Sequence, residues 1–151
     1  MSGKPRLLAI ASGGGHWVQL QRLRPAFDAF DTAYVSMFEG YASMVAPARY
    51  YTVPDASRFD LRAFLPVFAK AVKILAKERP RAIVTTGSAP MLSFILLGRL
   101  IGARTLWVDS IANSERMSSS GRLARKLAHK VISQWPEVAK AEGVEHWGAV
   151  V

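Results

Sequence analysis

His16 follows three consecutive glycines, Gly13, Gly14 and Gly15, in the stretch IASGGGHWVQLQRL, between an apolar run and a segment with helical spacing. A strand that passes through glycines straight into a helix aims backbone N–H groups and a positive helix end at one point. Such a point receives an anion, usually phosphate. That positive end disfavours an imidazolium, so a neutral His16 in the first turn suits a base or a hydrogen-bond donor near pH 7. The plainer reading is a tight turn needing φ > 0, with a histidine that caps or packs locally. A Walker A loop requires Gly-Lys-Ser/Thr, which the sequence lacks. A dinucleotide fingerprint fits no better: Val18 stands where its third glycine belongs, and the second strand ends in Ser36 instead of an acid, with Glu39 beyond it.

VTTGSAPMLSF, Val84 to Phe94, repeats the arrangement of strand, glycine turn and helix. Thr86, Gly87 and Ser88 are its candidate anion contacts; ordinary N-capping by Ser88 is the alternative. The next strand ends in TLWVDSIANSERMSSSG, which brings Asp109, Ser110 and Asn113 to the same edge. A carboxylate there is either a site residue or a cap. Three polar strand ends at one edge predict a cleft, since ligands of open α/β sheets bind outside the carboxyl ends of the strands.

The elements that must position these loops are legible as alternating patterns. Strand-length apolar runs occur at Leu7 to Ala11, Thr32 to Ser36, Tyr50 to Val53, Ala82 to Thr86, Arg104 to Val108 and Lys130 to Gln134, with helical spacing between them. This predicts an α/β fold in one Rossmann-like domain over residues 1–151, a doubly wound and mostly parallel sheet. The strongest helical pattern runs from Leu61 to Glu78, with Leu61, Phe64, Leu65, Phe68, Val72 and Leu75 as its apolar stripe. Asp60 is placed to cap it, Pro80 lies past its end, and Pro66 predicts a kink or a start nearer Leu65. Further helices are expected from about Ala89 to Ile101 and from about Gly121 to His129.

The 151 residues carry 20 Lys and Arg against 11 Asp and Glu, a formal net charge of +9, and no cysteine. Disulfides and thiolate metal sites are thereby excluded, and neither a metal nor a cofactor is expected. The cations cluster at Arg116, Arg122, Arg125, Lys126 and Lys130, and again at Arg62, Lys70, Lys73, Lys77, Arg79 and Arg81. Such surfaces favour nucleic acid, anionic lipid or phosphorylated substrates. No segment approaches the roughly 20 apolar residues of a membrane span, which predicts a cytoplasmic protein or one bound peripherally at the inner face of the cell membrane.

Taken together, ASGGGHWVQL, IVTTGSAPMLSFILLGRLIGARTLWVDSIA, SSSGRLARKLAHKVISQWPE and HWGAVV resemble the accessory, acceptor-side subunit of two-component glycosyltransferases. That family includes asparagine-linked glycosylation protein fourteen and bacterial exopolysaccharide glycosyltransferase subunits. More distantly, the same blocks are similar to the N-terminal half of the lipid II-forming N-acetylglucosaminyltransferase, which has the two-domain GT-B architecture. The resemblance implies an acceptor-binding subunit that works with a donor-binding chain resembling a GT-B C-terminal half, on a UDP-sugar and a polyprenyl-diphosphate-linked saccharide. It places Gly13, Gly14, Gly15 and His16 at the acceptor diphosphate, and Gly87 and Ser88 in a second loop. Asp109 and Ser110 fall at the cleft-facing end of a strand, and Gln134, Trp135 and Pro136 toward the partner.

These readings converge on His16 as candidate base or acceptor contact, with Asp109 as a second catalytic candidate. Thr86, Ser88, Ser110 and Asn113 join the glycines as phosphate contacts. Arg62, Lys70, Lys73, Arg122, Arg125 and Lys126 are expected to face an anionic membrane, where apolar Phe38, Tyr41, Met44, Phe59, Phe64 and Phe68 are candidates for insertion. Nucleic acid is not an expected partner. A basic nucleic-acid-binding module and a nucleotide-dependent enzyme acting alone are the competing functions, the first supported by charge but lacking a reading motif.

Overall fold

β1 (Arg6–Ile10) occupies the middle of the sheet and is buried on both faces, which is why RLLAI reads as an unbroken apolar run and not as an alternation. Leu8 and Ile10 enter one hydrophobic cluster and Leu7 and Ala9 another, one on each side of the sheet. In the computed structural model, which describes residues 3–56 and 61–150, five more strands join it: β2 (Asp31–Ser36), β3 (Tyr50–Thr52), β4 (Ala82–Thr85), β5 (Arg104–Val108) and β6 (Lys130–Ile132). Their order is β3-β2-β1-β4-β5-β6 and every pair is parallel. The chain reverses its direction of travel across the sheet between β1 and β4, and the loops leaving those two strands flank the crevice where such sheets take ligands.

α1 (Gly15–Arg22) and the short α2 (Ala42–Val45) cover one face, packing Trp17, Leu20 and Val45 with Phe27 against Leu7 and Tyr34. α3 (Phe64–Glu78), α4 (Leu92–Leu100) and α5 (Ser119–Leu127) cover the other, and α6 (Pro136–Glu142) follows β6. The six strands and the helices expected near Ala89–Ile101 and Gly121–His129 lie where the sequence patterns place them, to within about three residues, and α6 is a helix that those patterns do not predict.

α3 departs from the pattern in an informative way. Leu61–Ala63 forms a 3₁₀ turn ahead of it, so Pro66 falls in the first helical turn. A proline there gives up an N–H that has no intrahelical partner, and the expected kink is unnecessary. The capping role expected of Asp60, and any membrane contact of Phe59, lie outside the described residues. The buried stripe is Val67, Ala71, Ile74, Leu75 and Glu78, not the stripe of Leu65, Phe68 and Val72. Leu65 is 70% exposed, and Phe68 and Val72 are exposed beside it. Both stripes are apolar, and the one buried is the one that joins the sheet cluster of Leu8, Ile10 and Ile83.

Glu78, the last residue of α3, points inward with its side chain 2% exposed. Arg49 grips both carboxylate oxygens at 3.0 Å and Tyr51 donates its hydroxyl at 2.5 Å. A third Arg49 N–H reaches Asp31 at 3.1 Å. Burial pushes the Glu78 carboxyl up, but the Arg49 and Tyr51 donors outweigh it and hold the group below its ordinary value. This network closes the amino edge of the sheet, opposite the loops.

Candidate functional site

The first loop enters α1 without a side-chain cap. Gly14 caps α1 at φ 67°, ψ −132°, a region that residues with a Cβ rarely enter, and no side chain caps the helix. In the first turn the amides of Gly15 and His16 have no carbonyl four residues back to bond. Open space surrounds the Cβ positions of Gly14 and Gly15, whereas a Cβ on Gly13 would lie 2.2 Å from the Phe38 ring. Gly13 is therefore demanded by Phe38, and Gly14 by the backbone. The Gly14 N–H donates to the Tyr41 hydroxyl at 3.2 Å, and Tyr41 stacks on Trp17 at 4.5 Å.

The second loop lies against the first. Gly87 has φ 120°, and its N–H donates to the Thr85 hydroxyl at 3.1 Å. Ser88 also holds a positive φ, 99°, at a cost of order 1–3 kcal/mol for a residue with a side chain. Its hydroxyl caps neither the 3₁₀ turn Ala89–Met91 nor the helix behind it. N-capping thus does not explain Ser88.

His16 joins the two loops. Its Nδ1 lies 2.9 Å from the Thr86 carbonyl oxygen, and the Thr86 hydroxyl donates to the His16 carbonyl at 2.6 Å. A carbonyl only accepts, so Nδ1 carries a proton and the neutral ring keeps its lone pair on Nε2. The ring lies over Gly87, where a Cβ would meet Cε1 at 3.1 Å and Nδ1 at 3.2 Å. Gly13, Gly14, Gly15, His16, Thr86, Gly87 and Ser88 are thus brought together as the spacing predicts.

Asp109 is brought to the same edge but is turned inward. It is 2% exposed; its Oδ1 accepts from Trp107 Nε1 at 3.1 Å and Ser118 Oγ at 2.7 Å, and its Oδ2 from Asn113 Nδ2 and the Ser118 N–H, both at 3.1 Å. Four donors saturate the carboxylate, and Asn113 is tied to it. In this arrangement Asp109 faces its own donors and not the cleft, Asn113 Nδ2 spends one of its two hydrogens on it, and both residues organise the loop between β5 and α5. Ser118, not Ser88, is the serine that caps a helix, accepting from the Gly121 N–H at 2.9 Å.

A buried amide pair joins Gln19, which the sequence reading misses, to Gln134, which it directs toward a partner. Gln19, on the inner face of α1, donates to Ser110 Oγ at 3.1 Å and accepts from the Ile111 N–H at 3.1 Å and from Gln134 Nε2 at 2.6 Å. Gln134 donates also to the Asp109 carbonyl at 3.0 Å and accepts from the Val150 N–H at 2.7 Å. Ser110 Oγ accepts from Gln19 and from the Ala112 N–H at 3.1 Å, and its hydroxyl hydrogen, used by neither bond, keeps the capacity to donate that the expected phosphate contact needs. Trp135 Nε1 donates to the Ile111 carbonyl at 2.7 Å, and Pro136 opens α6 at its first position. Gln134 and Trp135 therefore lock the ends of β5 and β6 to α1. A glutamine at an i+3 step from His16 is the one signal for Gln19, and periodicity alone reads it as a polar helical position.

The expected cationic surface falls on one side of the molecule. α3 and α5 flank α4 on the same face of the sheet, so Lys70, Lys73, Arg122, Arg125 and Lys126 share a layer with Arg99. These three helices bear no acid but the buried Glu78. Arg122 pairs with Glu142 at 3.0 Å. Among the described residues no helix is long and apolar enough to cross a membrane, and no group of three or more His, Asp or Glu gathers as metal ligands.

Known proteins share both the letters and the fold. No family model matches the chain. The UDP-N-acetylglucosamine transferase subunit ALG14 of Yarrowia lipolytica is 34% identical over 91 residues, 56% of this chain and 42% of its own length. The subunit of that name from Eremothecium gossypii is 25% identical over an alignment of 99% of this chain and 82% of the relative. Among solved structures, MurG of Acinetobacter baumannii matches with a TM-score of 0.72 at 13% identity, over 89% of this chain and 42% of MurG. The UDP-GlcNAc 2-epimerase of Methanocaldococcus jannaschii matches at 0.68 and 14% identity, over 91% of this chain and 41% of its own. The chain thus spans about two fifths of the first of these relatives and of both solved structures. By fold it corresponds to one Rossmann-like half of the GT-B architecture, and by sequence it is similar to the transferase subunits named ALG14.

Proposed function

We propose that the chain is the acceptor-side, membrane-associating subunit of a heteromeric glycosyltransferase. A partner chain resembling the C-terminal half of a GT-B enzyme holds a UDP-sugar, and the acceptor is a polyprenyl-diphosphate-linked saccharide in polysaccharide or lipid-linked oligosaccharide biosynthesis. The names of the similar subunits make UDP-N-acetylglucosamine the first donor to test.

The observation that carries this reading is the bond from His16 Nδ1–H to the Thr86 carbonyl between two glycine loops, which in the neutral ring puts the lone pair on Nε2. In that state Nε2 takes the proton of the acceptor hydroxyl as its oxygen attacks the anomeric carbon. The bond from that carbon to the UDP oxygen breaks, and UDP leaves with the electron pair. The first-turn amides of α1 hold the acceptor diphosphate, and the amide at Gly14 joins them where the ligand replaces the Tyr41 hydroxyl. At an anionic leaflet at the inner face of the membrane, each nearby cation of the α3–α5 layer contributes about 1 kcal/mol.

Co-expression with a partner of GT-B C-terminal type, followed by assay of UDP-N-acetylglucosamine transfer to a lipid-linked acceptor, tests the proposal. The pair is expected to turn over and this chain alone is not. Turnover by the single purified chain overturns the division of labour, and a pair that assembles without transfer to any lipid-linked diphosphate overturns the assigned chemistry.

A further inference from the structure

The buried amides of Gln19 and Gln134 fit their surroundings in one orientation only. Gln19 Oε1 accepts from the Ile111 N–H and Gln134 Oε1 from the Val150 N–H, and a backbone N–H never accepts. With both oxygens so fixed, each Nε2 is a donor. That of Gln134 serves Gln19 Oε1 and the Asp109 carbonyl, and that of Gln19 serves Ser110 Oγ. The two residues are 5% and 2% exposed, so water does not compete for these bonds.

The relay ends on a hydroxyl of fixed polarity. Ser110 Oγ has two lone pairs and receives two donors, Gln19 Nε2 and the Ala112 N–H, each at 3.1 Å. Its hydrogen is turned away from both and meets no acceptor among the described residues. Ser110 is half-buried and lies two residues past β5, the strand paired with β4, whose end carries the loop of Gly87 and Ser88. The unused hydrogen therefore stands at the carboxyl edge of the sheet, where ligands of such folds bind.

We propose that Gln19 is a positioning residue that holds Ser110 as a donor to a phosphate oxygen of the diphosphate in the crevice. This rests on the diphosphate-binding reading above and adds to it a donor outside both glycine loops, together with the side chain that aims it. α1 then serves the site twice, through its first-turn amides and through Gln19 one turn later.

Calorimetry of the full chain with inorganic pyrophosphate tests the proposal. Ser110→Ala is expected to weaken binding roughly tenfold or more, the loss of a hydrogen bond to a charged group, and Ser110→Thr to stay within a few-fold of wild type. Gln19→Glu keeps an acceptor for Ile111 and Gln134 but puts a second acceptor where Nε2 donates, so the Ser110 hydroxyl turns onto it and is lost to the ligand. Its effect is expected to be large in the wild type and much smaller in the Ser110→Ala background, whereas mere repulsion by the new charge acts equally in both. Gln19→Met, which adds no charge, is expected to cost less than Ser110→Ala, because the hydroxyl remains but is no longer aimed. Wild-type affinity in Ser110→Ala, wild-type affinity in both Gln19 variants, or an equal effect of Gln19→Glu in the two backgrounds overturns the proposal and leaves the diphosphate site standing. A wild type that does not bind pyrophosphate overturns the proposal and the reading of the site together. In the assembled pair, Ser110→Ala is expected to raise KM for the lipid-linked acceptor or for the UDP-sugar, which tells whose diphosphate Ser110 meets; both values unchanged overturns the proposal.

Discussion

His16 and Thr86, seventy positions apart, hold each other through two reciprocal bonds, imidazole Nδ1–H to carbonyl at 2.9 Å and hydroxyl to carbonyl at 2.6 Å. The first bond fixes the tautomer and the second fixes the backbone that carries the ring. His16→Asn places an amide donor near Nδ1 but supplies no basic nitrogen at the position of Nε2. A fall in kcat of roughly 10²–10⁴-fold is expected for transfer by the assembled pair, with an unchanged melting temperature. Thr86→Val keeps the carbonyl and removes the hydroxyl; a loss of about 1 kcal/mol in stability and a smaller loss of kcat are expected. An equal kcat in His16→Asn and wild type removes His16 from proton transfer.

Gly87→Ala tests the same ring from the other side. The new methyl sits 3.1–3.2 Å from the imidazole on a backbone at φ 120° that L residues rarely adopt. The expected result is a destabilisation of about 1–3 kcal/mol together with lost transfer, as the ring is pushed from the Thr86 carbonyl. Gly14→Ala meets open space and carries the backbone cost without the clash. Comparing the two by thermal unfolding and kcat separates strain from displacement of His16.

Asp109→Asn distinguishes a structural carboxylate from a catalytic one. An amide in its place offers one acceptor oxygen and turns an NH₂ toward groups that donate. Loss of hydrogen bonds to a charged, buried acceptor predicts destabilisation of about 2–3 kcal/mol, read as a fall in denaturation midpoint. Activity per folded molecule is expected to stay within a few-fold of wild type. A stable Asp109→Asn protein with kcat reduced a hundredfold restores Asp109 to the chemistry.

The contrast between His16 and Asp109 shows how far letters alone reach. Strand positions, the two loops and their meeting at one edge are legible because apolar runs, glycines and helical spacing are local signals, and the switch-point rule supplies the rest. Whether a carboxylate at that edge faces the cleft or the interior depends on donors brought from Trp107, Asn113 and Ser118, and no spacing rule encodes their directions. Glu78 and Gln19 escape notice for the same reason: each looks like an ordinary polar helical position until a distant residue, Arg49 or Gln134, closes on it. The buried face of α3 is misread because both of its stripes are apolar, and the choice between Val67 and Phe68 is made by the space left against the sheet.

The Glu78 network predicts acid sensitivity. A carboxyl whose folded pKa lies below its unfolded value, about 4.3, adds stability above that value and loses it as pH falls through the folded one. Arg49→Met leaves the buried Glu78 carboxylate with Tyr51 as its hydrogen-bond donor and with Arg6 bonded only to its backbone carbonyl. A cost of about 3–5 kcal/mol is expected at pH 7, shrinking as pH falls first through the raised pKa of the unpaired carboxyl in the variant and then through the lowered one of the wild type. Denaturant unfolding of both proteins at pH 7 and at progressively lower pH checks the convergence; a gap that widens on acidification rules out this account. Tyr51, pushed up to about 12 by burial and then by Glu78, stays a neutral donor throughout.

The α3–α5 face combines exposed Leu65, Phe68 and Val72 with Lys70, Lys73, Arg122, Arg125 and Lys126, and its two kinds of group respond differently to salt. Attraction to an anionic leaflet is screened over about 8–10 Å at physiological ionic strength, whereas burial of hydrocarbon is not. Replacing Lys70 and Lys73 by Gln is expected to cost about 2 kcal/mol, or some thirtyfold, in partition onto vesicles with anionic lipid, and to flatten the dependence on salt. Replacing Leu65 and Phe68 by Ser is expected to weaken binding at every ionic strength and leave that dependence unchanged. These positions lie outside the buried stripe of α3, so folding is preserved and sedimentation with vesicles reads the surface directly. Wild-type binding that is equal on neutral and anionic vesicles removes the cationic layer from membrane docking.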